Sequence, residues 1–235
     1  NSGPLNKVLS TFFLKKKNER LDSRIIEGVE FNSSQVLIIG GGVSGLLAAS
    51  ILANANMKVI LLERDFILGG FFDFSNQKVN SWVKKLISNL IKSKNFKILK
   101  NTKLVHADGK NNFFAIRKVY HKNKTNSLKH SYKLLKIVVK NAIIATGLKE
   151  RSLPNVNTKK TNIILANKVH QLIYRFGLKV PNGVIIYTNN NFGWDTAFKL
   201  LSIGIEIQAI IDTRKNCNIP ISCPVFRGAK IVEVY

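Results

Sequence analysis

The stretch Val36-Leu37-Ile38-Ile39-Gly40-Gly41-Gly42-Val43-Ser44-Gly45 runs four apolar residues straight into a glycine cluster. Such a short run without a polar residue predicts a strand covered on both faces. Beyond it, Leu46 to Asn54 is rich in Leu and Ala at helical spacing. Lys58 to Leu62 predicts a second apolar strand, ending at Glu63. Strand, glycine turn, helix, strand is a β-α-β unit.

The residue types in that unit point to a specific chemistry. Gly40 permits a tight turn out of the strand. Gly42 lets a pyrophosphate approach the backbone. Gly45 lets the helix pack close to the sheet. The first turn of the helix offers N–H groups and a positive dipole end to phosphate. Glu63 can accept hydrogen bonds from both ribose hydroxyls of an adenosine, and it repels a 2′-phosphate, which favours NAD or FAD over NADP. Arg64 stands beside the adenine or in solvent. Gly69-Gly70 lets the backbone run past a dinucleotide, and Phe71-Phe72 pack over the cofactor or fill the core. Far downstream, Ala145-Thr146-Gly147 ends another apolar strand and brings backbone close to the same cofactor.

The rest of the chain reads as follows. Residues 1–34 are polar and irregular, a connecting segment. Ser81 to Lys94 is an amphipathic helix, with Trp82, Leu86, Leu90 and Ile91 among lysines. Lys97 to Leu99 and Lys103 to His106 are strands. Phe113 to Val119 and Tyr132 to Val139 form a hairpin, and Ala142 to Ala145 is a separate strand. From about residue 160 a second unit begins. It has a helix at Ala166 to Phe176, a strand at Val184 to Tyr187, a helix at Trp194 to Ser202 and a strand at Ile205 to Ile211 before Asp212. A further strand is expected past Pro220. Thr188-Asn189-Asn190-Asn191 lacks the glycine triplet, so this copy is at best a degenerate nucleotide site, with Asp212 the counterpart of Glu63. The expected domains are 35–153, dinucleotide-binding, and 154–235, an inserted second unit.

Composition narrows the partners. The chain is 45% hydrophobic and 21% charged, which excludes wholesale disorder. With 37 basic against 13 acidic residues its net charge is +24, and nucleic acid is the first partner to weigh. The lysines are spread along the chain, Asn is abundant beside them, and no zinc-finger, homeodomain or RRM-like signature accompanies them, so a solvated basic surface is expected and no nucleic acid. The two cysteines, Cys217 and Cys223, have neither zinc nor thioredoxin spacing, and their scarcity suits a reducing, cytoplasmic setting. No membrane span is expected. His106, His121, His130 and His170 are scattered and form no catalytic or metal constellation. No general acid, base or nucleophile stands out, and hydride chemistry carried by a cofactor needs none.

Several longer stretches carry a family resemblance. Ala145-Thr146-Gly147-Leu148-Lys149-Glu150-Arg151-Ser152-Leu153-Pro154 resembles the ATGxxERxLP segment of the sarcosine oxidase alpha subunit. Leu172-Ile173-Tyr174-Arg175-Phe176-Gly177 is similar to its YLNRYGV, and Val184 to Asn190 to its VVFTNND. The resemblance runs from about residue 33 to 235. It implies an α/β, two-dinucleotide-binding-domain flavoprotein-type (FAD/NAD(P)-binding Rossmann-like) fold, incomplete at the C-terminus. It also implies a heterotetramer with beta, gamma and delta subunits. That complex demethylates sarcosine oxidatively to glycine, makes hydrogen peroxide and passes a one-carbon unit to tetrahydrofolate. In that family this module carries NAD, with FMN and FAD elsewhere in the complex. The implied NAD contacts are Gly42, Ser44, Leu62, Glu63, Arg64, Phe71 and Leu104. Phe71 stands where the family often has Ser or Thr, so a side-chain hydrogen bond there is in doubt. Related amino-acid dehydrogenase subunits hold FAD in this place, which is the first alternative. A non-catalytic scaffold stabilised by a nucleotide is the second. The chain itself is expected to be a fragment lacking both ends, and marginally stable alone.

Overall fold

The computed structural model describes residues 26–70, 77–122, 128–151, 163–217 and 219–233. The chain divides into two compact units, the first ending at Gly147 and the second beginning at Leu148.

In the first unit six strands form one sheet. They are β1 (Ile26–Ile39), β2 (Val59–Leu62), β3 (Phe96–Leu99), β4 (Thr102–Ala107), β5 (Asn112–Lys122) and β6 (Leu128–Ile144), in the order β3-β2-β1-β6-β5-β4. β1 runs parallel to both β2 and β6, and β2 parallel to β3. β4, β5 and β6 are an antiparallel meander. Helix α1 (Val43–Asn54) connects β1 to β2, and α2 (Gln77–Lys92) lies between β2 and β3.

The period of two along a strand sorts the core into two layers. Val36 and Ile38 of β1 and Val59 and Leu61 of β2 pack with Leu46 and Ala49 of α1 and Val83 and Leu90 of α2. Leu37, Ile39, Ile60 and Leu62 turn the other way and pack with Ala115 of β5 and Leu135 and Ile137 of β6. This double cover is why both strands read as unbroken apolar runs. It fixes β1 and β2 side by side, register Ile39↔Leu62, so the glycine turn and Glu63 leave the sheet at the same edge.

Two expectations about strands are corrected. Ala142 to Ile144 is not a separate strand but the end of β6, a continuous 17-residue strand. β1 reaches back to Ile26, into the stretch read as irregular. That stretch inverts the usual pattern: Phe31 is 74% exposed and Asn32 9% exposed. Polar partners satisfy the inward side, because Lys97 Nζ donates to Asn32 Oδ1 at 2.6 Å and Asn32 Nδ2 donates to Glu30 Oε1 at 3.2 Å. The amphipathic helix α2 begins at Gln77, upstream of the expected Ser81.

The second unit holds a parallel sheet of β7 (Val184–Thr188), β8 (Ile207–Asp212) and β9 (Val225–Arg227). Helix α3 (Ala166–His170) continues into a π-helical turn over Gln171–Arg175, and α4 (Asn191–Ser202) joins β7 to β8. Ile186, Trp194, Ala197, Leu200, Ile207 and Ile210 form its core. Among the described residues no helix is long and apolar enough to cross a membrane.

Candidate dinucleotide site

The first unit brings the expected loop and acid together. Glu63, 8% exposed, follows β2 and turns its carboxylate back under the glycine turn. Its Oε2 accepts from the Gly41 amide at 2.7 Å and its Oε1 from the Asp65 amide at 2.8 Å. Each carboxylate oxygen has further lone-pair capacity, so ribose hydroxyls can still be accepted.

The three glycines of the turn differ in what demands them. Gly40 has φ +113°, and a Cβ there would lie 2.2 Å from the carbonyl oxygen of Ala145. A Cβ on Gly45 would lie 2.0 Å from the carbonyl oxygen of Gly40. Both positions are fixed by the protein's own backbone. Gly42 is not: its φ is −72° and a Cβ would meet nothing closer than Gly70 Cα at 3.9 Å, an ordinary contact. Gly42 is also the residue before α1, and no side chain caps that helix start. The four first N–H groups of a helix have no intrahelical partner. Space and unclaimed donors at the start of a helix are what a diphosphate requires.

The neighbouring pieces close around the turn. The Ala145 amide donates to the Ile39 carbonyl at 2.8 Å, which sets Ala145-Thr146 against Gly40. Gly147 has φ +72° with open space around it. The Gly69 amide donates to the Gly41 carbonyl at 2.8 Å, and Gly69 bridges Gly42 in parallel. A Cβ on Gly70 would stand 2.8 Å from Gly42 Cα. The glycine pair is therefore needed for close approach to the turn itself.

Other expected contacts are placed differently. Ser44 is exposed in the first turn of α1, as a phosphate contact needs. Arg64 is exposed, with Nε 4.0 Å from Asp65 Oδ1. Leu62 is 1% exposed and packs in the meander-side core, and its carbonyl accepts from Gly40 N at 2.8 Å. Leu104 packs against that same core. Both leucine side chains pack on this core, Leu62 fully buried beneath the meander and Leu104 half-buried within it. Phe71 lies outside the described residues. Among the described residues no group of His, Cys, Asp and Glu could hold a metal ion.

The second unit repeats the architecture with different contents. Aligned on the helix starts, Thr188, Asn190 and Gly193 fall where Gly40, Gly42 and Gly45 stand in the first unit. A Cβ on Gly193 would lie 2.3 Å from Thr188 Oγ1, so the third glycine keeps its packing role. The Asn190 side chain caps α4, accepting from the Phe192 amide at 3.0 Å. Asp212 is fully buried. It accepts from Trp194 Nε1 at 2.7 Å and from Arg214 through Nη2 at 2.8 Å and the main-chain N–H at 2.9 Å. Arg214 Nη1 also donates to Asn191 Oδ1 at 2.8 Å. Burial pushes the Asp212 carboxyl up, but the bonds from Arg214 and Trp194 outweigh it and hold it far below the usual carboxylate range. Sequence reading paired Asp212 with Glu63 but missed Gly193 and the Trp194–Asp212–Arg214 network. The 188/190/193 spacing was the available signal for the former.

Comparisons with known proteins agree with this architecture. The family described as "Pyridine nucleotide-disulphide oxidoreductase" matches residues 34–218. The sarcosine oxidase subunit alpha of Rhizobium meliloti (strain 1021) is 26% identical over 76% of this chain and 19% of its own length. That of Corynebacterium sp. (strain P-1) is 21% identical over 85% of this chain and 21% of its own. The chain thus spans about a fifth of these relatives. Among solved structures, L-proline dehydrogenase from P. horikoshii shares the fold with a TM-score of 0.54, at 20% identity over 84% of this chain and 42% of that one. A bacillithiol disulfide reductase from Staphylococcus aureus does so with 0.55, at 12% identity over 87% and 69%. The fold is the α/β FAD/NAD(P)-binding Rossmann-like fold of flavoprotein oxidoreductases, and it implies a dinucleotide cofactor. The chain belongs to the pyridine nucleotide-disulphide oxidoreductase family.

Proposed function

We propose that the first unit is the NAD-holding module of a sarcosine oxidase alpha-type subunit, part of a complex that demethylates a secondary amine oxidatively. The observation that carries the dinucleotide assignment is Gly42. Nothing among the described residues requires a glycine there, whereas a diphosphate passing over the helix start does. The sarcosine oxidase assignment is supported by the likeness to three alpha subunits over most of the chain.

The roles follow from the geometry. The first amides of α1, at Val43 and Ser44, receive the diphosphate. Glu63 holds the adenosine ribose, and its bond to the Gly41 amide fixes the carboxylate in place before the ligand arrives. When bound, the dinucleotide would supply hydride-acceptor chemistry or serve as a structural element of the assembly. The substrate amine, the FMN and FAD of the complex, the beta, gamma and delta subunits, and a cytoplasmic setting belong to this same reading. FAD in place of NAD is the alternative, because an acid at Glu63 serves either adenosine ribose equally.

The test is to purify the full-length protein from its own host, denature it and identify the released nucleotide by mass. Release of NAD together with sarcosine-dependent hydrogen peroxide from the intact complex is expected. Release of FAD instead would move the assignment to the amino-acid dehydrogenase type. Release of no dinucleotide, with none bound on titration, would sink it.

A further inference from the structure

A family with two Rossmann-like units leads one to expect a second nucleotide between β7, α4 and β8. The residues there do not fit one. A dinucleotide in such a crevice needs three things: backbone open to the phosphates, unclaimed amides at the helix start, and a carboxylate facing the ribose. The second unit differs at each. Gly40 and Gly42 are replaced by Thr188 and Asn190, whose side chains face the turn. Thr188 Oγ1 donates to the Asn190 carbonyl at 3.0 Å, and the Asn190 amide oxygen takes the Phe192 N–H. The carboxylate that would hold the ribose is fully buried beneath Trp194 and Arg214. The Arg214 guanidinium reaches from Asp212 at the end of β8 to Asn191 at the start of α4, spanning the gap the ligand would occupy.

We propose that the second unit takes no dinucleotide, because Asn190 and Arg214 stand where the ligand's phosphate and ribose would lie. Of the two units, the first alone therefore offers a dinucleotide place, at Gly42 and Glu63, a statement that rests on the function proposed above. The rival use of Arg214 is recognition of a 2′-phosphate. Turning Arg214 outward for that purpose would leave a buried carboxylate without its counter-charge, a strongly destabilising change.

The experiment is photo-labelling of the full-length protein with the 8-azidoadenosine forms of NAD, NADP and FAD, followed by peptide mapping. Stoichiometry is measured in parallel by equilibrium dialysis, on wild type and on Glu63→Ala. The expected result is label confined, within residues 1–235, to peptides within 35–70, and loss of one bound equivalent in Glu63→Ala. Label from any of the three probes within 184–217 would overturn the proposal. Absence of label everywhere would agree with a closed second unit and would instead remove the dinucleotide reading of the first. The mapping needs no variant, so it decides even if Glu63→Ala does not fold.

Discussion

Glycines at 42 and 45 should respond to the same added methyl group in opposite ways. On Gly45 a Cβ collides with the Gly40 carbonyl, so Gly45→Ala is expected to destabilise the first unit by ~1–3 kcal/mol, seen as a lower melting temperature. On Gly42 a Cβ meets only an ordinary contact, so Gly42→Ala should melt like wild type while dinucleotide affinity falls by about tenfold or more, ~1.4 kcal/mol. Isothermal titration with unchanged affinity in Gly42→Ala would count against the phosphate site. Asp212 gives a pH prediction. Its folded carboxyl is held low, so its contribution to stability is complete above the ordinary carboxylate range. That contribution fades as acid is added through and below the range. Thermal melts taken on acidification should show wild type losing stability steadily. Asp212→Asn should already be weaker at neutral pH and respond less to acid. Equal slopes for the two proteins would refute the linkage.

At the scale of elements, the parts legible in the sequence were those whose burial matches their local pattern. β1 from Val36 and β2 read as unbroken apolar runs because layers cover them on both sides, and α1 and β7 through β8 follow from helical spacing or apolar runs whose inward residues build a core. What was not legible depends on long-range pairing. Ile26 to Ser34 becomes a strand only because β6 lies beside it, register Phe31↔Lys136 and Ser33↔Val138. β6 in turn merges two segments that looked separate, because pairing with β5 from Leu128 to Val138 overlaps pairing with β1 from Tyr132 to Ile144. Leu62 and Leu104 enter the site only by resemblance, and in the structure both side chains pack on the core shared with the meander. The start of α4 offers a test at this scale. Removing the Asn190 cap in Asn190→Ala should cost about 0.5–2 kcal/mol of stability. It should also leave dinucleotide binding by the protein unchanged, since the proposed ligand site is in the other unit. A melting temperature unmoved by the substitution would show that the cap contributes little.

For the molecule as a whole, the fold could be read from one β-α-β unit and its echo, and the missing glycine triplet marked the second copy as at best degenerate, but the residues that fill it were not legible. The two copies differ in side chains that local pattern does not rank: Asn190 for Gly42, and an arginine two residues beyond the acid. The charge of +24 is another property of the entire chain. If it is a solvated surface, DNA should bind only at low salt, with affinity falling steeply as salt rises. Bound DNA should leave NAD affinity as it was. A gel-shift series combined with NAD titration checks both, and mutual exclusion of DNA and NAD would show that the basic surface and the crevice are one site.

The contact of Gly69-Gly70 with Gly41-Gly42 reaches beyond packing. Main chain braces main chain there, through an amide bond at 2.8 Å and a parallel bridge. The cradle's shape is therefore set by the protein's own main chain, and little ordering remains to oppose capture. Hydrogen exchange at the Gly69 amide should be slow and nearly the same with and without nucleotide, and association should be a single bimolecular step with no later isomerisation.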